Sequence, residues 1–294
     1  MNTVRTVADL RSALSDARRP VGLVPTMGAL HAGHVALLRR ARTECETVVM
    51  SLFINPAQFN ASEDLDSYPR DESADSAIAE REGVDLVFAP GLAEVYPAGF
   101  QTSVEVADLG AVLEGDESAR GPEHLRGVAT VVAKLLNMAS PDIAYFGQKD
   151  AQQLAVIRRL VTDLDLGVRI EAVATVREPD GLALSSRNAL LSAADRERAA
   201  ALSRALRAGA AVVARGERDA AAVLDAASRV LQAGGIEPDY LALVSPSDLS
   251  PVARVNGSTL LAVAARVGRT RLIDNALVGG ESLAPVPGAE EALT

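Results

Sequence analysis

Short apolar runs alternate with segments of helical periodicity through the first 175 residues, and this alternation constrains the fold more than any other feature. Strands that alternate with helices form βαβ units and therefore a parallel sheet. In such sheets, ligands bind beyond the carboxyl ends of the strands. The predicted strands are 21–24, 48–54, 85–89, 143–146 and 168–176. The predicted helices are 7–14, 35–41, 71–82, 128–138 and 150–163. The sequence thus predicts an α/β fold.

The pattern changes after about residue 175. Two Ala-rich helical segments, 192–215 and 219–233, are followed by three apolar strands at 240–244, 260–264 and 271–277. Helices followed by strands, without alternation, indicate a smaller α+β domain. We therefore predict domains at 1–175 and 176–278, and a flexible tail at 279–294, where Gly, Pro and Glu are frequent.

Composition excludes several classes of protein. The 294 residues are 48% hydrophobic, which supplies a sizeable core, and the net charge of −10 argues against binding to nucleic acid or to an anionic membrane. Cys45 is the single cysteine, so an internal disulfide and a cysteine-rich metal cage are excluded. The first residues do not resemble a signal peptide, no apolar run approaches about 20 residues, and we expect a cytoplasmic protein.

The segment PTMGALHAGH, residues 25–34, follows a predicted strand and opens a predicted helix. A helix start presents unpaired N–H groups and a partial positive charge, which together bind phosphate. Gly28 and Gly33 let a nucleotide approach the backbone. His31 and His34 are three residues apart, so both can donate hydrogen bonds to phosphate oxygens in one pocket. The alternatives are a zinc pair, which three histidines and one cysteine disfavour, and a structural turn with satisfied histidines.

Two later segments also carry groups suited to phosphate. In YFGQKDAQQL, residues 145–154, Lys149 is a compact cation near a helix start, Asp150 can cap that helix, and Gln153 lies one turn inside it. In VREPDGLALSSRN, residues 176–188, two serine hydroxyls precede the guanidinium of Arg187 and could close over a triphosphate as a lid. The alternatives are a capped helix with an exposed lysine and a plain linker between domains.

These segments, with SLFINPAQFNASEDLDSYPR at 51–70 and TRLIDNALV at 270–278, occur in one order that strongly resembles the pantothenate synthetase family. The resemblance extends from about residue 5 to 278. It implies a Rossmann-like doubly wound parallel sheet of the H-x-G-H nucleotidyltransferase type. It also implies ATP-dependent condensation of pantoate with β-alanine through a pantoyl adenylate, with release of AMP and pyrophosphate.

The resemblance also implies roles for individual residues. His34 would act as proton donor, assisted by His31, Lys149 and Arg187. Gln58 would hold pantoate through its hydroxyl and carboxylate groups, with Gln153, and Asn55 would lie against the nucleotide or its metal. The implied ATP-binding residues are Pro25, Thr26, Met27, Gly28, Ala29, Leu30, His31, His34, Gly147, Gln148, Lys149, Asp150, Val176, Leu184, Ser185, Ser186 and Arg187.

Asp75 matches an acidic position that the family links to magnesium. One carboxylate binds Mg²⁺ only together with phosphates and water, and from the sequence alone a solvated charge on a helix face is the more ordinary interpretation. Asn55–Pro56 by itself would be a turn signal. The loop at 114–128 departs from the family pattern around Arg120, although His124 and Gly127 fit it. We assign the segment 270–278 to packing.

The expected cofactor is Mg²⁺ bound with ATP as substrate, and no tightly bound organic cofactor is expected. A homodimer is expected by resemblance only. The absence of a Ser–His–Asp or Cys–His signature suits a reaction that needs no covalent enzyme intermediate. Two other functions remain open from the sequence: an adenylyltransferase acting on a nucleotide acceptor, and a non-catalytic adenine-nucleotide sensor.

Overall fold

A computed structural model describes residues 1–59, 65–66, 68–115, 121–280 and 283. Its contacts divide the described chain into two compact units. The first contains Met1–Gly147 and Gln152–Val173, and the second contains Gln148–Ala151 and the described residues from Ala174 onward. The predicted boundaries at 175 and 278 stay a prediction. Most of the predicted tail lies outside the described residues.

The first unit is built on six strands in the order β1-β4-β3-β2-β5-β6, and every neighbouring pair is parallel. The strands are β1 Asn2–Val4, β2 Val21–Thr26, β3 Thr47–Leu52, β4 Leu86–Phe88, β5 Ile143–Gly147 and β6 Arg169–Val173. The order reverses between β2 and β5, which makes the carboxyl ends of these strands the switch point where such sheets bind ligands. The predicted doubly wound α/β sheet is confirmed.

Seven helices described in the first unit connect or flank these strands. They are α1 Val7–Ser15, α2 Ala32–Glu44, α3 Glu72–Arg81, α4 Leu92–Val95, α5 Ala107–Gly110, α6 Gly121–Ala139 and α7 Ala151–Asp163, the last of which begins at the border of the units. Short 3₁₀ helices occur at Pro56–Gln58 and Leu113–Gly115. Residues 21–24 of β2 and 48–50 of β3 are buried, because helices cover both faces of a parallel sheet.

Among the differences from the sequence-based predictions, three concern β1, α6 and β6. Strand β1 was not predicted, and it pairs in parallel with β4 at one edge of the sheet. Helix α6 begins at Gly121 rather than at residue 128, and β6 ends at Val173 rather than at 176. The first two discrepancies concern segments that contain few apolar residues, so their periodicity carries little signal.

The second unit packs two helices against a three-stranded antiparallel sheet. The elements are α8 Ala193–Ala214, α9 Ala220–Ala233, β7 Pro238–Val244, β8 Thr259–Val267 and β9 Thr270–Val278, with sheet order β7-β8-β9. Leu202 and Leu206 of α8, Val223 of α9, and Leu261 and Val263 of β8 are at most 2% exposed and form the centre of this core. The predicted α+β character of this part is confirmed. Short 3₁₀ helices also lie at Gln148–Asp150 and Ser186–Leu190.

The single cysteine lies in the core of the first unit. Cys45 follows α2 and is 5% exposed, and its Sγ lies 3.2 Å from the hydroxyl of Tyr145. The same hydroxyl donates to a carboxylate oxygen of Glu44 at 3.0 Å. Burial raises the pKa of the Cys45 thiol above its ordinary value, so the neutral thiol is favoured.

None of the helices within the described ranges combines the length and the apolar character needed to cross a bilayer.

Candidate active site

The turn between β2 and α2 is held by a buried carboxylate from α3. Gly28 and Ala29 both have positive φ, at +89° and +51°, and the second value is unusual for a residue with a side chain. Asp75 accepts the N–H of Ala29 at 3.0 Å on one oxygen and the N–H of Leu30 at 2.8 Å on the other. Its side chain is only 4% exposed, so the interpretation of Asp75 as a solvated charge is wrong.

The two histidines cap the helix that they open. His31 Nδ1 accepts the N–H of Gly33 at 3.1 Å, and His34 Nδ1 accepts the N–H of His31 at 3.2 Å, which together form a capping box. A nitrogen that accepts an N–H carries no proton itself. In this arrangement each imidazole is therefore neutral with its proton on Nε2. The rings stack with centroids 4.1 Å apart.

This capping corrects the expectation that the helix start offers unpaired amides to phosphate. The N–H groups of Ala29 and Leu30 point to Asp75, those of His31 and Gly33 point to histidine rings, and that of His34 points to the carbonyl of His31 at 2.8 Å. The alternative of a turn with satisfied histidines therefore holds for the Nδ1 atoms, because each of them accepts a backbone N–H group. Most backbone amides of this turn are therefore already paired within the protein.

The 3₁₀ helix after β3 presents two predicted site residues together. Asn55 is 1% exposed and donates through Nδ2 to Gln58 Oε1 at 3.1 Å and to the carbonyl of Gly127 at 3.0 Å. Gln58 is half-buried, and its Nε2 lies 3.0 Å from Met27 Sδ. The structure thus brings Gln58 against the β2–α2 turn, since Met27 belongs to that turn.

Helix α6 supports the 3₁₀ helix from behind. His124 Nδ1 lies 2.7 Å from the carbonyl oxygen of Gln58. A Cβ at Gly127 would approach the carbonyl oxygen of Ala57 to 2.1 Å, so only glycine allows the two backbones to pack this closely. These contacts give a physical reason for His124 and Gly127, which the sequence identified only through resemblance. Arg120 lies outside the described residues.

Helix α7 begins with two glutamines that differ in their surroundings. Gln152 is buried, donates to the carbonyl oxygens of Leu109 at 2.8 Å and Val112 at 2.5 Å, and accepts the N–H of Glu114 at 2.8 Å. It therefore fixes the segment before the altered loop, a role that the sequence did not indicate. Gln153, the predicted pantoate ligand, is half-buried.

An aromatic cluster lies beside Asn55 and was missed by the sequence analysis. Tyr96 contacts Phe53 and Phe100, with ring centroids 6.1 and 5.1 Å apart, and Lys134 Nζ lies 4.6 Å from the Phe100 centroid. The Tyr96 hydroxyl donates to Asn55 Oδ1 at 2.8 Å. Burial raises the pKa of Tyr96 to about 12, so the hydroxyl keeps its proton at neutral pH.

In the second unit, Asn275 of β9 holds the turn that carries Lys149. Asn275 is 5% exposed, and its Nδ2 donates to the carbonyl oxygens of Gln148 at 3.0 Å and Lys149 at 2.9 Å. Its Oδ1 accepts from Gln148 Nε2 at 3.2 Å. Lys149 is half-buried, with Nζ 3.7 Å from Asp150 Oδ1. The segment 270–278, which the sequence assigned to packing, therefore also fixes the predicted ATP-binding backbone.

The predicted phosphate loop folds back on itself within the same unit. Leu184 N–H donates to the carbonyl of Val176 at 2.9 Å, and Arg177 forms two bonds of 2.7 and 3.0 Å with the buried carboxylate of Asp274. The hydroxyl of Ser185 accepts the N–H of Arg187 at 3.3 Å. Ser186 and Arg187 are exposed at the start of the 3₁₀ helix.

Within the part of the chain that the structure describes, no group of three or more His, Cys, Asp or Glu side chains is arranged to hold a metal ion. The assignment of Asp75 to magnesium stays a prediction. Its geometry favours another role, because each carboxylate oxygen already accepts a backbone N–H group of the β2–α2 turn.

The predicted site residues therefore form two groups. Within the first unit the structure brings together Met27, Asn55 and Gln58, and it pairs His31 with His34 above the turn that Asp75 holds. Within the second unit it joins Gln148 and Lys149 to Asn275, and the 176–188 segment to Asp274 through Arg177.

Comparisons with known proteins identify the family of the chain. The family model described as pantoate-beta-alanine ligase matches residues 2–277. A pantothenate synthetase from Rhizorhabdus wittichii is 52% identical over 281 residues, covering 95% of this chain and 99% of the relative. The crystal structure of pantothenate synthetase from Thermus thermophilus is 50% identical, covers 94% of this chain and 98% of its own, and superposes with a TM-score of 0.87.

A more distant solved structure carries ligands. The pantoate-beta-alanine ligase from Francisella tularensis, complexed with beta-gamma ATP and beta-alanine, is 32% identical. It covers 94% of this chain and 97% of its own, with a TM-score of 0.75.

Proposed function

Because the chain belongs to the pantoate–β-alanine ligase family, we propose that it condenses pantoate with β-alanine through a pantoyl adenylate formed from ATP. One observation supports this most strongly. Gln58, an amide suited to a hydroxy acid, lies 3.0 Å from Met27 in the turn that opens the H-x-G-H helix. A small hydroxy acid held there would lie beside the residues proposed for the nucleotide phosphates.

In the first step, a carboxylate oxygen of pantoate attacks the α-phosphorus of ATP, and pyrophosphate leaves. Negative charge grows on the phosphoryl oxygens, so preorganised donors stabilise the transition state. His34, assisted by His31, donates from Nε2, because Nδ1 of each ring is committed to a backbone N–H. Lys149, Ser185, Ser186 and Arg187 are proposed to bind the remaining phosphate oxygens.

In the second step, the amine of β-alanine attacks the pantoyl carbonyl carbon, the C–N bond forms, and AMP leaves with the carboxylate oxygen that linked it. No enzyme nucleophile is required, so catalysis rests on positioning and electrostatic stabilisation. Gln58 and Gln153 are proposed to hold pantoate through both steps.

Mg²⁺ enters the proposal as the ion that ATP carries. Asp75 is buried and each of its oxygens accepts a backbone N–H group, which favours a role in holding the β2–α2 turn. Mg²⁺ usually retains water and binds through substrate phosphates with one or two carboxylates, so phosphate oxygens and water would supply most of its ligands.

We further propose that the enzyme acts in the cytoplasm as a homodimer, without a nucleic-acid partner. The single buried cysteine and the net charge of −10 support the compartment and the absence of nucleic acid. Sedimentation at micromolar concentration tests the dimer, and a monomer at that concentration would contradict it.

The function is tested by exchange of labelled pyrophosphate into ATP. Pantoate should support exchange without β-alanine, and AMP should accumulate only when β-alanine is added. Exchange with nicotinamide mononucleotide but not with pantoate would instead identify an adenylyltransferase. Binding of ATP without exchange or AMP release would identify a nucleotide sensor.

The role of Gln58 gives a second test. Gln58→Ala should raise the KM for pantoate about 5- to 30-fold, because a substrate oxygen loses its hydrogen-bond partner at about 1–2 kcal/mol, while the KM for ATP stays within twofold. The exposed Gln232 provides the matched control, and Gln232→Ala should change neither constant. An unchanged pantoate KM in Gln58→Ala would reject this role.

A further inference from the structure

The hydrogen bonds of Asn55 satisfy its whole side chain within the protein. Its Oδ1 accepts the Tyr96 hydroxyl at 2.8 Å and the N–H of Ala57 at 3.3 Å. Its Nδ2 donates to Gly127 O at 3.0 Å and to Gln58 Oε1 at 3.1 Å. A carboxamide has two donor hydrogens and two acceptor lone pairs, and all four are engaged here. With 1% of its surface exposed, Asn55 has no capacity left for a direct bond to substrate.

Two backbone groups fix the orientation of this amide. The N–H of Ala57 can only donate, so the atom facing it is the Asn55 oxygen, and the carbonyl of Gly127 can only accept, so the atom facing it is the nitrogen. The Tyr96 hydroxyl therefore donates to Oδ1. The remaining Nδ2 hydrogen points to Gln58 Oε1, and this selects the orientation of the second amide.

The consequence for Gln58 is that Nε2 becomes its outward donor. The nitrogen lies 3.0 Å from Met27 Sδ, and a thioether sulfur is a weak acceptor that a substrate oxygen can replace. The opposite orientation would set Gln58 Nε2 against Asn55 Nδ2, two donors facing one another. The chain of hydrogen bonds from Tyr96 through Asn55 to Gln58 thus leaves the Gln58 Nε2 group to donate to an anionic hydroxy acid.

We propose that Tyr96 is a positioning residue for pantoate, which acts through Asn55 by fixing the donor orientation of the Gln58 amide. The inference rests on the proposed function of Gln58. Without the Tyr96 hydroxyl, Asn55 Oδ1 keeps only the longer bond to Ala57. The amide then gains rotational freedom, and part of the binding energy of pantoate is used to restore the orientation.

The raised pKa of Tyr96, which follows from burial, is consistent with this role because the hydroxyl remains a donor throughout the neutral range. Its ring packs against Phe53 and Phe100, so removal of the oxygen alone leaves the aromatic cluster in place. Tyr96→Phe therefore isolates the hydrogen bond from the packing.

The test measures pantoate-dependent pyrophosphate exchange in Tyr96→Phe, Gln58→Ala and the double variant. Tyr96→Phe should raise the KM for pantoate about fivefold, as loss of one hydrogen bond of about 1 kcal/mol does, with the KM for ATP unchanged. In the Gln58→Ala background the same substitution should change the pantoate KM less than twofold, because the residue through which it acts is gone.

Tyr145→Phe is the matched control, since Tyr145 is a buried tyrosine of the same unit whose hydroxyl contacts Cys45 and Glu44. It should leave the pantoate KM unchanged. Equal effects of Tyr96→Phe with and without Gln58 would overturn the inference, as would equal changes in both KM values. An unchanged pantoate KM in Gln58→Ala would overturn both the inference and the assignment of Gln58. An effect in Gln58→Ala without one in Tyr96→Phe overturns the inference alone.

Discussion

The turns that follow β2 and β5 are each held by one buried polar side chain, but with opposite polarity. Asp75 accepts two N–H groups from the turn after β2, whereas Asn275 donates to two carbonyl oxygens in the turn after β5. In the first turn, two backbone N–H groups are thus hydrogen-bonded to a carboxylate. In the second turn, two backbone carbonyl groups are hydrogen-bonded to a carboxamide. The difference teaches that similar strand-to-helix turns can be held by side chains of opposite polarity, so their place in the fold does not decide which backbone groups are covered.

Asn275→Asp reverses the polarity at the second turn and should have the largest effect. A carboxylate would face the carbonyl oxygens of Gln148 and Lys149 and would lie next to the buried Asp274. We expect a loss of about 3–5 kcal/mol in the free energy of unfolding, the range for an uncompensated buried charge. Urea denaturation measures this loss.

Asn137→Asp provides the control, because the side chain of Asn137 is exposed and should tolerate the same change within about 0.5 kcal/mol. Equal stabilities for the two variants would show that the Asn275 amide is not needed to hold the turn.

His34→Ala and Lys149→Ala remove the side chain that each turn is proposed to direct at phosphate. Each should lower adenylate formation at least about 10²-fold, or about 2.7 kcal/mol, as loss of a transition-state donor does. Pyrophosphate exchange with pantoate measures the loss. Arg229→Ala, at an exposed surface pair with Asp225, should retain full activity. Near-normal exchange in either variant would contradict the proposal that the side chain of that turn binds phosphate.

Asp75→Asn replaces one of the two acceptor oxygens at the first turn by an NH₂ group and should have the smallest effect. The amide keeps one acceptor for Ala29 or Leu30 and turns an N–H group toward the other donor, at a cost of about 1–3 kcal/mol. The KM for ATP should rise about tenfold if the strained Ala29 backbone relaxes. Asp225→Asn, on an exposed face of α9, should not change it. A loss of all activity at normal stability would instead favour a direct role for Asp75 at the metal.

The sequence sufficed for the α/β sheet, because β2, β3 and β5 are continuous apolar runs between helical periods. It did not predict β1, since three residues at a sheet edge have no readable period and form a strand only by pairing with β4. The motifs located the β2–α2 turn in the chain, and the structure places Gln58 against it. They could not reveal Asp75 as buried or Asn275 and Tyr96 as partners, because those contacts span 41 or more residues and depend on tertiary packing.

The position of Cys45 has a practical consequence. A thiol reagent cannot reach a sulfur that is enclosed by the core until that core opens, so the rate of labelling reports how often it opens. Since the chain has one cysteine, the reaction gives a single mass increment and needs no engineered probe. The labelling rate can thereby distinguish substitutions in the first unit that make its core open more often from substitutions that change only the catalytic activity.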